Sequence, residues 1–192
     1  MSNGLKVSLR QSIRVDNNLC NNKWFSIANI DNSTVLASWT NTNNNDNYVY
    51  NAEVNLNTSV ITQRYLVNPS DNADRESSSV GRYANNKYVT FYYQAHSRSK
   101  GNDWHVYAGS YHLGGISKDT DDISSNHDAP EGRISLANLS NNRFFISWVG
   151  DNSKLYSQIV SVSSSDDLYK GDKDTIRDIS SSILIENVSV SD

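Results

Sequence analysis

The sequence is nearly devoid of cysteine and proline: Cys20 is the only cysteine among 192 residues, and there are two prolines. One cysteine excludes an intramolecular disulfide, so packing and strand pairing must hold the fold in any redox environment. No apolar run is long enough to span a bilayer, and segment 1–15 is too polar for the apolar core of a signal peptide. We therefore predict no membrane insertion. A cytosolic protein, a mature fragment and an unconventionally exported protein all remain open.

The chain also lacks a cluster of basic residues. Its 17 lysines and arginines stand against 21 acidic residues, giving a formal net charge of -4 at pH 7. Affinity for nucleic acid depends strongly on the neutralisation of phosphates by basic side chains. We therefore predict that nucleic acid is not a partner. The length and the 36% hydrophobic content predict a single domain with a modest core.

What the sequence does contain is one motif that occurs three times, called the repeated phrase below. It consists of an apolar segment, an Asn-rich turn and a second apolar segment that ends in an aromatic residue; the copies span 28–39, 81–92 and 137–148. The final aromatics, Trp39, Tyr92 and Trp148, lie about 53 and 56 residues apart, which is the size of a propeller blade. Asn tolerates left-handed backbone angles, so Asn-rich turns can close hairpins without glycine.

Each copy continues into further strands. Segments 48–56, 105–113 and 154–162 align with one another and alternate apolar with polar residues, a period of two that predicts strands with one buried face. We place three units of four strands at 24–76, 77–130 and 131–182. The predicted strands are 24–30, 34–40, 48–56 and 60–67; 78–83, 87–94, 104–113 and a weaker 116–123; 132–139, 143–149, 154–162 and 175–179.

The predicted fold is therefore all-β and β-propeller-like. Segments 5–15 and 183–190 read as additional terminal strands. Propellers normally have at least four blades, so three units predict either a fourth blade built from the two ends or a ring closed by homo-oligomerisation.

The chain resembles two groups of repeat proteins. The pattern of 35–39, Asp46 and 48–50, repeated in 144–148, Asp151 and Tyr156, resembles the repeat units of bacterial surface and secreted β-repeat proteins. In size and aromatic repeats the chain is also similar to small β-propeller lectins. The second resemblance implies sugar pockets between blades, but it assigns no site residue.

The aromatic residues fall into two groups with different predicted roles. Those at the repeated position, Trp39, Tyr92 and Trp148, are better explained as core residues between sheets than as sugar platforms. Aromatics unique to one unit are better ligand candidates. We therefore predict that ligands bind near the long loop of the second unit and near Trp24, through the residues Trp104, Asp103, Arg98, His105 and Trp24.

The sequence evidence for a metal site is weaker than that for a ligand site near Trp104. An acidic residue recurs after the second strand of each unit, as Asp46, Asp103 and Asp151, with Asn neighbours that could join it around Ca²⁺. No loop holds several spaced carboxylates. The favoured interpretation is therefore that these residues lie at hairpin tips, where their side chains hydrogen-bond to their own backbone. No cofactor is predicted. His105 and His112 lie seven residues apart on one predicted strand, so they point to opposite faces and cannot share a metal.

The function predicted from these features is non-enzymatic recognition. A lectin-like or adhesin-like module would bind a carbohydrate or surface glycoconjugate through loops on one face. A structural protein that assembles into a shell or fibre is the alternative, and a propeller glycosidase comes third. The acids Asp119, Asp121, Asp122 and Asp128 could serve such an enzyme, but a solvated polar link is the favoured interpretation of that segment.

Overall fold

The computed structural model describes residues 25–43, 46–67, 75–95, 104–124, 134–140, 142–150, 154–171 and 174–178, and within these ranges the chain is all-β. The strands are β1 (Phe25–Asn29), β2 (Thr34–Asn43), β3 (Asp46–Asn55), β4 (Ile61–Leu66), β5 (Arg75–Ala84), β6 (Lys87–Ala95), β7 (Trp104–His112), β8 (Ile116–Asp122), β9 (Ser135–Ser140), β10 (Arg143–Val149), β11 (Lys154–Val162), β12 (Leu168–Lys170) and β13 (Asp174–Asp178).

The strands form three separate antiparallel sheets. Sheet 1 has the order β1-β2-β3-β4 and sheet 2 the order β5-β6-β7-β8. In sheet 3 the order is β9-β10-β11-β12, and β13 also pairs with β11. The prediction of three four-stranded antiparallel units is confirmed. The predicted terminal strands at 5–15 and 183–190 lie outside the described residues.

Two strand predictions need correction. The first hairpin is longer than predicted, because the Asn43–Asp46 pair extends the β2–β3 ladder, so Asp46 belongs to a strand and not to a loop. The fourth strand of sheet 3 is divided: β13 pairs with the beginning of β11 from Lys154 to Ser157, whereas β12 pairs with its end from Val160 to Val162. A three-residue strand such as β12 is too short for alternation to reveal it.

Sheet 2 lies between the other two, which explains why nearly every residue of β6 is buried. One apolar cluster joins sheets 1 and 2 and includes Leu36, Val49, Tyr88 and Tyr92. A larger cluster, with Phe91, Phe144 and Trp148 among its members, joins sheets 2 and 3. Polar contacts accompany the first cluster, since Ser38 Oγ donates to Ser78 Oγ at 2.8 Å and Asn51 Nδ2 donates to Thr90 Oγ1 at 2.9 Å.

The first strands of the three sheets, β1, β5 and β9, lie side by side, with β5 in the middle. Their close approach depends on Gly81 in β5. A Cβ atom at this position would lie 2.5 Å from Cε1 of Phe144 and 3.0 Å from Oδ1 of Asn138. The glycine therefore leaves the space that Phe144 and Asn138 of sheet 3 occupy. The corresponding positions of the repeat in β1 and β9 hold Ala28 and Ala137, which are also small and buried.

The repeated aromatics are core residues, as predicted. Trp39, Tyr92 and Trp148 are at most 1% exposed, and each stacks on a cross-strand tyrosine: Tyr50, Tyr107 and Tyr156, with ring centroids 6.0, 6.0 and 5.8 Å apart. Tyr92 packs toward sheet 1 and Trp148 toward sheet 2. Trp39 occupies the same position in sheet 1, and among the described residues the buried members of its cluster, Ala37, Ala52 and Val54, belong to sheet 1 itself.

Candidate functional site

An open cleft of about 660 Å³ lies where the first strands of the three sheets end. Asn29 of β1, Arg82 of β5 and Asn138 of β9 line it, and these three residues occupy the same position of the repeated phrase. The other lining residues are Tyr83, Ala84, Asn85, Leu139 and Ser140. The repeat therefore brings one polar side chain from each sheet to a single site, although the three are far apart in the sequence.

The guanidinium of Arg82 is held by the hairpin turn that follows it. Its Nε donates to the carbonyl of Ala84 at 3.2 Å, and its Nη2 donates to Oδ1 of Asn85 at 2.5 Å. Asn86, the next residue of this turn, has a φ of +58°, a left-handed angle that Asn adopts more readily than most residues. The turn thus fixes the orientation of Arg82, and the predicted use of Asn in tight turns is confirmed here.

Tyr83, beside Arg82, joins the cleft to a buried ion cluster between sheets 2 and 3. Its hydroxyl donates to Oδ1 of Asp166 at 3.0 Å, and Lys87 Nζ donates to the same oxygen at 2.6 Å. His112 Nε2 lies 2.8 Å from Oδ2 of Asp166, and Ser110 Oγ donates to its backbone carbonyl at 2.7 Å. Asp166 sits in the turn between β11 and β12 with a φ of +75°. One residue of sheet 3 thus contacts four side chains of sheet 2.

The surroundings of Asp166 stabilise its ionised form. Burial raises the pKa of this carboxyl, but the hydrogen bonds from Lys87, His112 and Tyr83 outweigh that effect and lower the pKa to about 2. The same contact acts in the opposite direction on Tyr83, whose pKa rises because its hydroxyl is removed from water and lies beside the carboxylate. Asp166 is therefore a charged anchor between two sheets.

We expect Asp166 to make stability dependent on acid. Its pKa is about 2 in the folded protein against an ordinary value of 3.8, so the folded state binds this proton less readily than the unfolded state. The stabilisation is complete above about pH 4 and is lost as the pH falls toward 2, for a total of about 2 kcal/mol. Between pH 5 and pH 2.5, the free energy of unfolding measured in urea should fall by about 1.5 kcal/mol more in the wild type than in Asp166→Asn, because about two thirds of the stabilisation is lost in this range. The exposed neighbour variant Asp167→Asn should behave like the wild type; equal slopes in all three proteins would contradict the assignment.

The structure places the predicted ligand residues only in part. Trp104 begins β7 and packs, half-buried, against the cluster between sheets 2 and 3. His105 is 7% exposed and its Nδ1 lies 2.5 Å from Oδ2 of Asp122, so it belongs to packing between β7 and β8 and has little surface for a ligand. Trp24, Arg98 and Asp103 lie outside the described residues. The predicted site around Trp104 therefore stays a prediction, because three of its five residues lie outside the described ranges.

The prediction of a solvated polar link for the acidic segment after the second unit is wrong for its described residues. Asp119, Asp121 and Asp122 belong to β8. Asp119 Oδ2 accepts a hydrogen bond from the backbone N–H of Leu168 at 2.8 Å, and Asp121 lies 3.5 Å from Lys170. These acids therefore connect β8 to the β12 region of sheet 3. Asp128 lies outside the described residues.

Metal coordination finds no support in the described ranges, where no group of three or more His, Cys, Asp or Glu side chains is placed to hold an ion. Of the three weak candidates, Asp103 and Asp151 lie outside those ranges, and Asp46 is placed by its backbone in β3. His105 and His112 contact different carboxylates, in agreement with their predicted opposite orientations. Where the structure is described, it contains no helix long and apolar enough to cross a membrane.

Sequence reasoning missed both Arg82 and Asp166. Arg82 departs from the Asn found at the same repeat position in the other two units, which was a visible signal. Asp166 lies in segment 163–167, a Ser- and Asp-rich turn that replaces the Gly114–Gly115 turn of the second unit. Comparison with known proteins adds nothing to these observations: no family model, curated protein or solved structure matched the chain.

Proposed function

We propose that the protein is a non-enzymatic recognition module that binds a saccharide in the cleft at the ends of β1, β5 and β9. The observation that carries this proposal is the convergence of Asn29, Arg82 and Asn138 from three sheets on one open site. Amide groups both donate and accept hydrogen bonds, as sugar hydroxyls do. Leu139, half exposed beside them, offers an apolar surface to the face of a sugar ring. The volume lies within the roughly 300–1,000 Å³ of common ligand sites.

We further propose that the sheets are blades of a β-propeller. Their first strands lie together, as strands around a propeller axis do. Tyr92 and Trp148 each pack toward the preceding sheet. Trp39 lies on the face of sheet 1 that a preceding sheet would cover, and it is 1% exposed. The exposed Phe25 and Ile27 pair with Trp39 and Ala37 in register and extend the same apolar face. A further blade on this face, from the same chain or a second copy, would continue the ring.

The proposed function predicts saccharide binding that depends on the cleft. On a glycan array the wild type should bind at least one class of saccharide, and the double variant Asn29→Ala, Asn138→Ala should lose most of that signal. Each amide removed takes away about 0.5–1.5 kcal/mol of hydrogen bonding, so the pair corresponds to a loss of roughly 5- to 150-fold in affinity. Both residues are exposed, so the variant should unfold at the same temperature as the wild type.

One result would contradict the proposed site, and another would contradict the function itself. Binding that survives the double variant unchanged would place the sugar elsewhere, for instance near Trp104. A large homo-oligomer in solution with no saccharide binding on the array would support the alternative of structural assembly, which the exposed Phe25 and Ile27 would then serve.

A further inference from the structure

The cleft carries a positive charge that no carboxylate of the described residues neutralises. Among the described residues that line it, Arg82 is the only charged one. Two other cations of the described chain do have carboxylate partners: Lys87 pairs with Asp166 at 2.6 Å, and Lys170 lies 3.5 Å from Asp121. Among the described residues no carboxylate comes within ion-pair distance of Arg82. A fixed, uncompensated guanidinium in a polar cleft attracts an anionic group.

The hydrogen bonds of Arg82 define which part of the guanidinium is available. An arginine side chain has five N–H groups. Ala84 and Asn85 accept from Nε and from one N–H of Nη2, both through the turn that follows Arg82. The two N–H groups of Nη1 and the second N–H of Nη2 have no acceptor among the described residues. Adjacent N–H groups on Nη1 and Nη2 can bind two oxygens of one oxyanion at once.

The local turn also reduces the entropic cost of immobilising the Arg82 side chain when a ligand binds. A free arginine side chain loses rotamer freedom when it is immobilised, at about 0.5–1.5 kcal/mol per side chain. Here two hydrogen bonds within the protein already restrict the side chain before any ligand arrives, and Arg82 is half-buried. Preorganisation of this kind favours recognition over nonspecific attraction. The net charge of -4 makes general attraction of anions weak, so selectivity must come from the cleft.

We infer that the ligand of the cleft is an acidic saccharide whose carboxylate or sulfate oxygens bind Arg82, while Asn29 and Asn138 bind hydroxyls of the same molecule. This inference rests on the proposed function and specifies its ligand. Arg82 supplies selectivity for the acidic group, and the two amides supply affinity for the sugar. Leu139 and Ser140 complete the surface on the side of β9.

The test compares matched ligands by titration calorimetry. A uronic-acid trisaccharide is titrated beside the same trisaccharide with its carboxyl groups reduced to hydroxymethyl, and beside a sulfated trisaccharide. The wild type should bind the acidic forms at least tenfold more tightly than the reduced form, because a charge-assisted hydrogen bond contributes more than a neutral one. Carboxylate and sulfate selectivity are read from the ratio of the two acidic affinities.

Two variants accompany these ligands. Arg82→Gln should remove the preference for acidic forms, so that the acidic and the reduced trisaccharides bind with similar affinity. Lys118→Gln, which removes one exposed positive charge from β8 outside the cleft, should leave the preference unchanged. Thermal unfolding checks that both variants are folded. The acidic preference should also decrease as salt is raised from about 0.05 to 0.5 M, since the pair is only partly shielded from solvent.

The outcomes separate this inference from the proposed function. Equal affinity for acidic and reduced trisaccharides, with no effect of Arg82→Gln, would overturn the acidic ligand and leave saccharide recognition intact. An acidic preference that Lys118→Gln abolishes as strongly as Arg82→Gln would overturn the role of Arg82. Binding of no saccharide on the glycan array would overturn the proposed function together with the inference.

Discussion

Replacing Trp148 by Ala should lower the free energy of unfolding by about 4 kcal/mol, the typical cost of deleting a fully buried tryptophan. Trp148 has no solvent exposure, stacks on Tyr156 at 5.8 Å and belongs to the cluster that joins sheets 2 and 3. The loss combines the transfer of the indole with a cavity that the rigid sheets cannot close. Urea unfolding followed by far-ultraviolet circular dichroism measures it.

Two controls separate packing from other effects. Trp148→Phe should cost much less, because an aromatic ring remains to stack on Tyr156 and the indole N–H has no acceptor among the described residues. Tyr169→Ala, on the exposed side chain of β12 in the same sheet, should change stability by less than about 0.5 kcal/mol. If Trp148→Ala were as stable as Tyr169→Ala, the assignment of the repeated aromatics to the core would be wrong.

The strands of this fold could be predicted because they carry their own signals. The alternation in 154–162 and the run 143–149 bounded by turns predict β11 and β10 with their observed limits. The burial of Trp148 also follows from the sequence, since an aromatic at a fixed place in every unit is most simply a core residue. These inferences need only local pattern and repetition.

The candidate site could not be predicted in the same way, because it depends on how the sheets stack. Asn29, Arg82 and Asn138 occupy a repeated position. Repetition predicts a structural role, whereas the irregular loop before Trp104 is the part of the sequence that predicts a ligand site. Only the packing of β1, β5 and β9 brings the three together. Asp166 was missed for a related reason: an Asp in a serine-rich turn has the composition of a solvated loop, and its burial depends on contacts with Tyr83 and Lys87 that are about 80 residues away in the chain.

Asp166→Ala should destabilise the protein by about 3 kcal/mol and weaken the attachment of sheet 3 to sheet 2. Removing one partner of a buried ion pair leaves the other uncompensated, which commonly costs about 3–5 kcal/mol. The lower figure applies here because Lys87 and His112 keep 27% and 30% of their side-chain surface in solvent. Tyr83 also loses the acceptor of its hydroxyl. Asp166→Asn should cost less, since Asn tolerates the positive φ and can still accept a hydrogen bond.

A double-mutant cycle with Lys87 tests the cause of this loss. Lys87→Met in the Asp166→Ala background removes the cation that has lost its partner, so the double variant should be more stable than the sum of the two single losses predicts, by about 1–3 kcal/mol. Asp167→Ala, one residue along the chain and exposed, should cost less than about 1 kcal/mol and show no coupling to Lys87→Met.

Because Tyr83 lines the cleft and donates to Asp166, Asp166→Ala should also weaken saccharide binding at temperatures where the variant remains folded. If the variant loses stability but binds saccharide as the wild type does, Asp166 stabilises the packing of sheet 3 on sheet 2 without influencing the cleft.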